Sequence, residues 1–213
     1  MKDKKNKIMI DFWNARYASK EYAYGVTPNQ FFKESIDRFA GKGKILLPAE
    51  GEGRNAVYAA QQGFDVHAFD TSVEGQKKAY KLAQHHEVDI NYTVDDITNI
   101  EHQPQSFDVI ALVFAHFPPH IQKICHQKIT KWLKPNGHLI FEGFSKNHLQ
   151  MQKDYPKIGG PKKAEMLFSK EQIMDDLCNF NFMEIEEKII HLSEGDFHIG
   201  KGSVVRFVAR LNS

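Results

Sequence analysis

Ile45-Leu46-Leu47-Pro48-Ala49-Glu50-Gly51-Glu52-Gly53-Arg54-Asn55 is a short apolar run that breaks into glycines and then into the small-residue segment 56–60. It reads as strand, tight turn and helix. Glycine serves where backbone approaches a ligand or takes positive φ, and a helix starting just past such a turn offers unpaired N–H groups to that ligand. The stretch is a nucleotide-type cradle. Two kinds of ligand fit its spacing, because Gly51-Glu52-Gly53-Arg54-Asn55-Ala56 also satisfies the alanine-ended dinucleotide fingerprint. Charge argues for the other kind: Glu50 and Glu52 flank Gly51, and two carboxylates repel a pyrophosphate but favour a cationic ligand.

Downstream, Gly63 stands where a helix C-cap glycine would, and Asp65-Val66-His67-Ala68-Phe69-Asp70 gives a second strand ending in an acid. Asp70 lies 19 residues after Gly51, close to the ~20-residue offset at which an acid meets a ribose in doubly wound folds. Thr71 with Glu74 forms a capping box for a second helix running to about residue 85. Residues 88–94 make a third strand ending at Asp95-Asp96-Ile97, and 107–114 a fourth, nearly all apolar and so covered on both faces. Its end delivers Ala115-His116-Phe117-Pro118-Pro119, then a helix over 119–133 and, after Lys134-Pro135-Asn136-Gly137, a fifth strand over 138–144. Strict alternation of strand and helix implies a parallel sheet.

Periodicity disappears between residues 145 and 168, and a structureless connection of that length inside a compact domain reads as a lid or binding loop. Ser169 and Gln172 cap a last helix ending near residue 180. Two extended stretches, 182–192 and 203–211, follow around Gly195 and Gly200 to Gly202, forming an antiparallel hairpin at the sheet edge. The fold class is therefore α/β, doubly wound.

Upstream lies an aromatic arm, residues 8–32, with seven of the chain's 25 aromatic residues: Phe12, Trp13, Tyr17, Tyr22, Tyr24, Phe31 and Phe32. Such density asks for burial. It suits either a helix on the core or, given the break at Gly25 to Pro28 and the polar tips of three tyrosines, an arm folded across a site.

With 213 residues and neither linker nor low-complexity stretch, one domain spanning 1–213 is expected. The net charge of +1, from 28 basic and 27 acidic residues, points to no nucleic-acid or polyanionic partner. The lysines at positions 2, 4, 5 and 7 read as a solvated tail, and no segment approaches the roughly 18 apolar residues of a membrane span. Cys125 and Cys178 both fall in apolar helical stripes and read as core thiols, without the paired histidine spacing of a zinc site, so no metal is expected and the compartment reads as reducing and cytoplasmic.

These residues carry a family resemblance. The chain resembles a class I S-adenosylmethionine-dependent methyltransferase, whose Rossmann-like seven-stranded sheet ends in a reversed strand. Within the class, Phe12-Trp13-Asn14-Ala15-Arg16-Tyr17, Tyr24-Gly25-Val26-Thr27-Pro28-Asn29, the glycine loop, His116-Phe117-Pro118-Pro119 and Gly159-Gly160-Pro161 resemble the tellurite-resistance and thiopurine methyltransferase-like branch. The family loop usually has an acid and a glycine where this chain has Leu47 and Ala49, so Glu50 is expected to take up the methionine end. The resemblance implies S-adenosyl-L-methionine as cofactor, whose ammonium and sulfonium suit the carboxylates. It places Gly51, Gly53 and Asn55 against the cofactor, Asp70 and Thr71 at its ribose, and Asp96 with the Ile97 N–H at its adenine edge. Trp13, Tyr17 and Tyr24 would roof the site.

Methyl transfer is an in-line displacement, so positioning and exclusion of water outweigh acid-base machinery. His116, just past the fourth strand at the carboxyl edge, is the candidate for a proton acceptor or else a structural histidine. Arg16 either holds an anionic substrate or braces the arm. A small soft nucleophile, a thiol or chalcogen oxyanion, fits best, in a monomer or weak homodimer. A nicotinamide-dependent oxidoreductase and a non-catalytic binding module remain the competing readings.

Overall fold

The computed structural model describes residues 2–39 and 43–213, with side chains from residue 7 onward. Strands β1 (Lys44–Pro48), β2 (Asp65–Asp70), β3 (Asn91–Val94), β4 (Phe107–Val113) and β5 (Leu133–Phe144) run parallel. β6 (Phe180–Glu194) and β7 (His198–Leu211) are antiparallel, and β7 pairs antiparallel to β5. The seven-stranded order is β3-β2-β1-β4-β5-β7-β6. That is the doubly wound sheet with a reversed terminal hairpin that the alternating pattern implies.

The helices are α1 (Lys2–Tyr17), α2 (Gln30–Ile36), α3 (Arg54–Gln61), α4 (Val73–His85), α5 (Pro119–Trp132), α6 (His148–Asp154) and α7 (Lys170–Asp176). Successive strand residues face opposite sides, so Ile45 and Leu47 join Phe32, Val57 and Ala79 on one face while Leu46 joins Ile129 and Ile173 on the other. β1 and β4 are neighbours whose helices leave to opposite faces. Their carboxyl ends thus open a crevice where such sheets bind ligands.

Several expectations change. Ser72, not Thr71, caps α4, its Oγ accepting from the Gly75 N–H at 3.0 Å, so the capping box is absent. The stretch 145–168 is not structureless: it holds α6 and a short turn at Ala164–Met166, and its ends are pinned by backbone bonds from Lys146 N to Phe168 O (2.9 Å) and Phe168 N to Phe144 O (3.1 Å). Seven residues of helix are too few to show a period. The hairpin turns at Gly195, with Gly200 and Gly202 inside β7. Cys125 is buried as expected, but Cys178 lies exposed beyond the end of α7. Lys2, Lys4 and Lys5 lie outside the residues whose side chains are described. Among the described residues no helix is long and apolar enough to cross a membrane.

Candidate active site

Beyond β1 the chain turns through Ala49 (φ 55°), Gly51 (φ 64°) and Gly53 (φ 88°). The left-handed region suits the glycines and strains Ala49, the position the resembled family fills with glycine. A Cβ on Gly53 would lie 2.5 Å from that of Ala79, so glycine lets α3 and α4 approach, and one on Gly51 would lie 2.7 Å from the Tyr17 hydroxyl. The Gly51 N–H donates to Asp70 Oδ2 (3.1 Å), and its carbonyl accepts from the Tyr92 hydroxyl (2.6 Å). Asp70 Oδ1 accepts from the Ser72 N–H (3.0 Å). Burial lifts the Asp70 carboxyl to about 6 despite these donors.

The two flanking carboxylates turn out to face the protein. Glu50 Oε1 accepts from the Asn55 and Ala56 N–H groups, both at 2.8 Å, capping α3, and burial raises the group to about 7. Glu52 accepts from the Ala23 N–H (2.8 Å) and meets Lys78 Nζ at 2.7 Å. Glu52 is therefore neutralised and anchors the arm, which corrects the argument that both acids draw in a cation. Asn55 Oδ1 accepts from the Asn29 N–H (2.9 Å), a second anchor. Asp96 Oδ1 accepts from the Thr98 N–H (2.8 Å) in a local turn, and the Ile97 side chain is buried in the core.

The aromatic arm lies over the cradle. Trp13 stacks on Tyr17 with centroids 5.4 Å apart, and Asn14 Oδ1 accepts from Ser72 Oγ at 2.8 Å. Arg16 Nη1 donates to the Tyr24 hydroxyl (3.1 Å), and its guanidinium sits 3.8 Å from the Phe197 ring centroid. Arg16 thus clasps α1 to the β6–β7 hairpin.

On the other side, Phe114 follows β4 at φ 52°, its ring 4.6 Å from Phe144 and 4.7 Å from His198. His116 is engaged at both ring nitrogens: Nδ1–H donates to the Met166 carbonyl (2.9 Å), and Nε2 accepts from the Phe144 N–H (3.1 Å). Burial lowers its pKa to about 4. In this arrangement neither nitrogen is free for a substrate proton.

His198 differs, since its Nδ1 meets Glu194 Oε2 at 2.9 Å and Glu194 is itself held by Arg54 Nη2 at 3.0 Å. Asn29 Nδ2 donates to Glu142 Oε1 (2.7 Å), a carboxyl lifted to about 7 by burial. Tyr92, Phe114, Glu142, Glu194 and His198 escaped the sequence reading. The only local signal was an acid and a histidine bracketing the turn at Gly195.

Residues 45–137 match the family model of a methyltransferase domain. With the seven-stranded sheet and reversed hairpin, this defines the class: the protein is an S-adenosylmethionine-dependent methyltransferase. It is 25% identical over 196 residues to the glycine/sarcosine N-methyltransferase of Aphanothece halophytica, covering 85% of this chain and 67% of that one. Its fold is similar to that of a structure reported for conversion of a disulfide bond into a thioacetal group during echinomycin biosynthesis (TM-score 0.79, 14% identity, 96% and 92% of the two chains). TehB from Haemophilus influenzae is similar too (TM-score 0.70, 15% identity, 95% and 67%).

Proposed function

We propose that the protein transfers a methyl group to a small soft nucleophile, a thiol or chalcogen oxyanion, bound over the carboxyl ends of β4 and β5 beneath the arm. The observation that carries this reading is the aromatic cluster past the ends of β4 and β5: Tyr24 of the arm, Phe114, Phe144 and Phe197 of the hairpin turn pack on one another and around His198. When bound, S-adenosylmethionine supplies an electrophilic methyl on a cationic sulfur. An anionic sulfur or selenium nucleophile gains from meeting such a cation away from water, since charge is neutralised in the displacement. The sulfur chemistry named for the echinomycin structure is of the same kind.

In this reading the left-handed turn at Gly51 brings backbone to the cofactor, and Gly53 and Asn55 set the start of α3 behind it. Asp70, buried at the end of β2, accepts from the ribose hydroxyls, with Thr71 beside it. Asp96 and the Ile97 N–H take the adenine edge, and Glu50 the methionine end. Trp13, Tyr17 and Tyr24 exclude water, while Arg16 holds the arm down. His116 serves as a latch between Phe144 and Met166 and thereby positions the wall of the acceptor space.

Release of S-adenosylhomocysteine would be measured with thiols, selenite, tellurite and glycine. Turnover of the soft nucleophiles supports the proposal. Turnover of glycine alone would assign the amine chemistry named for the Aphanothece relative, and binding of S-adenosylhomocysteine without any turnover would leave a binding module.

A further inference from the structure

We propose that Glu194 and His198 on the β6–β7 hairpin form the proton acceptor of the site, so that the methyl acceptor is a nucleophile, above all a thiol, that arrives protonated. The inference rests on the methyl-transfer reading above. It is carried by a base that is oriented, open at one nitrogen and placed beside the crevice.

The orientation comes from a chain of contacts. His198 Nδ1 lies 2.9 Å from Glu194 Oε2, and Glu194 is fixed by Arg54, the first residue of α3 and the immediate successor of Gly53. Arg54 is tied in turn to the Tyr24 carbonyl at 3.0 Å. A ring that donates Nδ1–H to a carboxylate presents its lone pair at Nε2. A base oriented by a third group is the recurring device for activating a nucleophile.

The placement follows from the rings around it. His198 packs 4.5 Å from Tyr24, 4.7 Å from Phe114 and 5.3 Å from Phe144. Phe114 follows β4, the strand next to β1, and its left-handed φ of 52° is an unusual conformation for an aromatic residue. Strain of this kind gathers where surrounding structure holds a side chain for use. His116, which position alone favours, has both nitrogens committed to backbone. His148 stacks on Phe144 with its Nδ1 unpartnered, but its Nε2 meets the Gly159 carbonyl; of these three rings only His198 is oriented by a carboxylate.

The charges around the ring suit a base. Glu194 comes from its own hairpin, Arg54 from α3, Arg16 from α1, His148 from α6, and Tyr24 and His116 from the neighbouring connections. Burial, with Arg54 and Arg16, keeps the resting imidazole neutral, while Glu194 stabilises the imidazolium once formed. Glu194 stays ionised because, against the effect of burial, His198 and Arg54 hold it at about 2.

In the step, the acceptor sulfur bonds to the methyl carbon as the carbon–sulfonium bond of S-adenosylmethionine breaks, and that electron pair remains on the sulfur of S-adenosylhomocysteine. The proton of the acceptor S–H passes to His198 Nε2 and leaves to solvent on product release.

The test compares wild type, His198→Gln and Glu194→Gln on a weakly acidic alkyl thiol and on an aromatic thiol already ionised at neutral pH. His198→Gln should slow transfer to the alkyl thiol by ~10²-fold, with a loss at least ~10-fold smaller on the ionised thiol. The pH profile of kcat/KM on the alkyl thiol should show an inflection that Glu194→Gln moves to lower pH, readable even if His198→Gln does not fold. Equal losses on both thiols, or an unmoved inflection, overturn the dyad. If wild type binds S-adenosylhomocysteine in calorimetry yet turns over no thiol, the acceptor class falls instead. Nitrogen-15 NMR then judges the dyad: a neutral ring bearing its proton on Nδ1 supports it, and one bearing it on Nε2 overturns it.

Discussion

The glycine cradle and the wall proposed for the acceptor are built by opposite means. In the cradle, neighbours in sequence meet through backbone groups: the Gly51 N–H on Asp70, the Asn55 and Ala56 N–H groups on Glu50. In the acceptor wall, side chains meet across most of the chain, Asn29 with Glu142 and Arg54 with Glu194. A local backbone shape can be inherited with one turn of sequence. The wall exists only after the hairpin has paired with β5 and the arm has closed.

The largest effect that would break this contrast lies in the cradle. Asp70→Ala removes the acceptor of two N–H groups and the proposed ribose anchor, so S-adenosylhomocysteine binding should fall below detection in calorimetry; retained affinity would move the cofactor elsewhere. His116→Ala leaves the Met166 carbonyl and the Phe144 N–H unpaired in a buried setting, and a loss of about 2–4 kcal/mol in stability is expected by denaturant titration. Activity that survives in this variant should keep its pH inflection, because the latch and the base are different histidines.

Glu142 sharpens the comparison through pH. Its carboxyl ionises near 7 in the fold against 4.5 for the free side chain, so the folded state binds more protons between these values. The stability this group contributes is fully present below about 4.5 and is lost as pH rises through about 7. Glu142→Gln should therefore raise Tm at pH 8, by roughly 1–3 kcal/mol of stability, and change little at pH 4.5. A variant equally affected at both values would show that the carboxyl is ionised throughout.

The smallest effect is expected at Ala49. Glycine there relieves a left-handed alanine but adds freedom to the unfolded chain, so the net gain should stay below about 1 kcal/mol. A clear loss in Tm would show that the alanine methyl contributes packing that outweighs its strain.

The same contrast governs what the sequence reveals. The alternation of strands and helices, the terminal hairpin and the positions of Gly51, Gly53 and Asp70 follow from apolar runs, glycines and an offset, all local signals, while the strand order is seen only in the fold. Thr71 and Ser72 are adjacent hydroxyl residues, and only the observed bond to Gly75 selects the cap. Glu52 looked available to a ligand because its partners, Ala23 and Lys78, lie on other elements. His116 drew attention by standing at the end of β4, yet its nitrogens are taken by backbone at residues 144 and 166. His198, far along the chain, reaches the site only because antiparallel pairing with β5 and β6 folds the hairpin back.

The clasp of α1 has a thermodynamic side. Tyr17 packs over Gly51 and Gly75, and Arg16 against Phe197, so in the proposed reading the arm would be a tethered competitor for the space above the cradle. A ligand meets only the open fraction of molecules, so its apparent dissociation constant exceeds the intrinsic one by the reciprocal of that fraction. Loosening the Arg16 contact raises the open population and tightens uptake, while the same change lets water into the closed state. In that reading the strength of one arginine on one aromatic ring would set a compromise between how readily the protein loads and how dry it keeps the reaction.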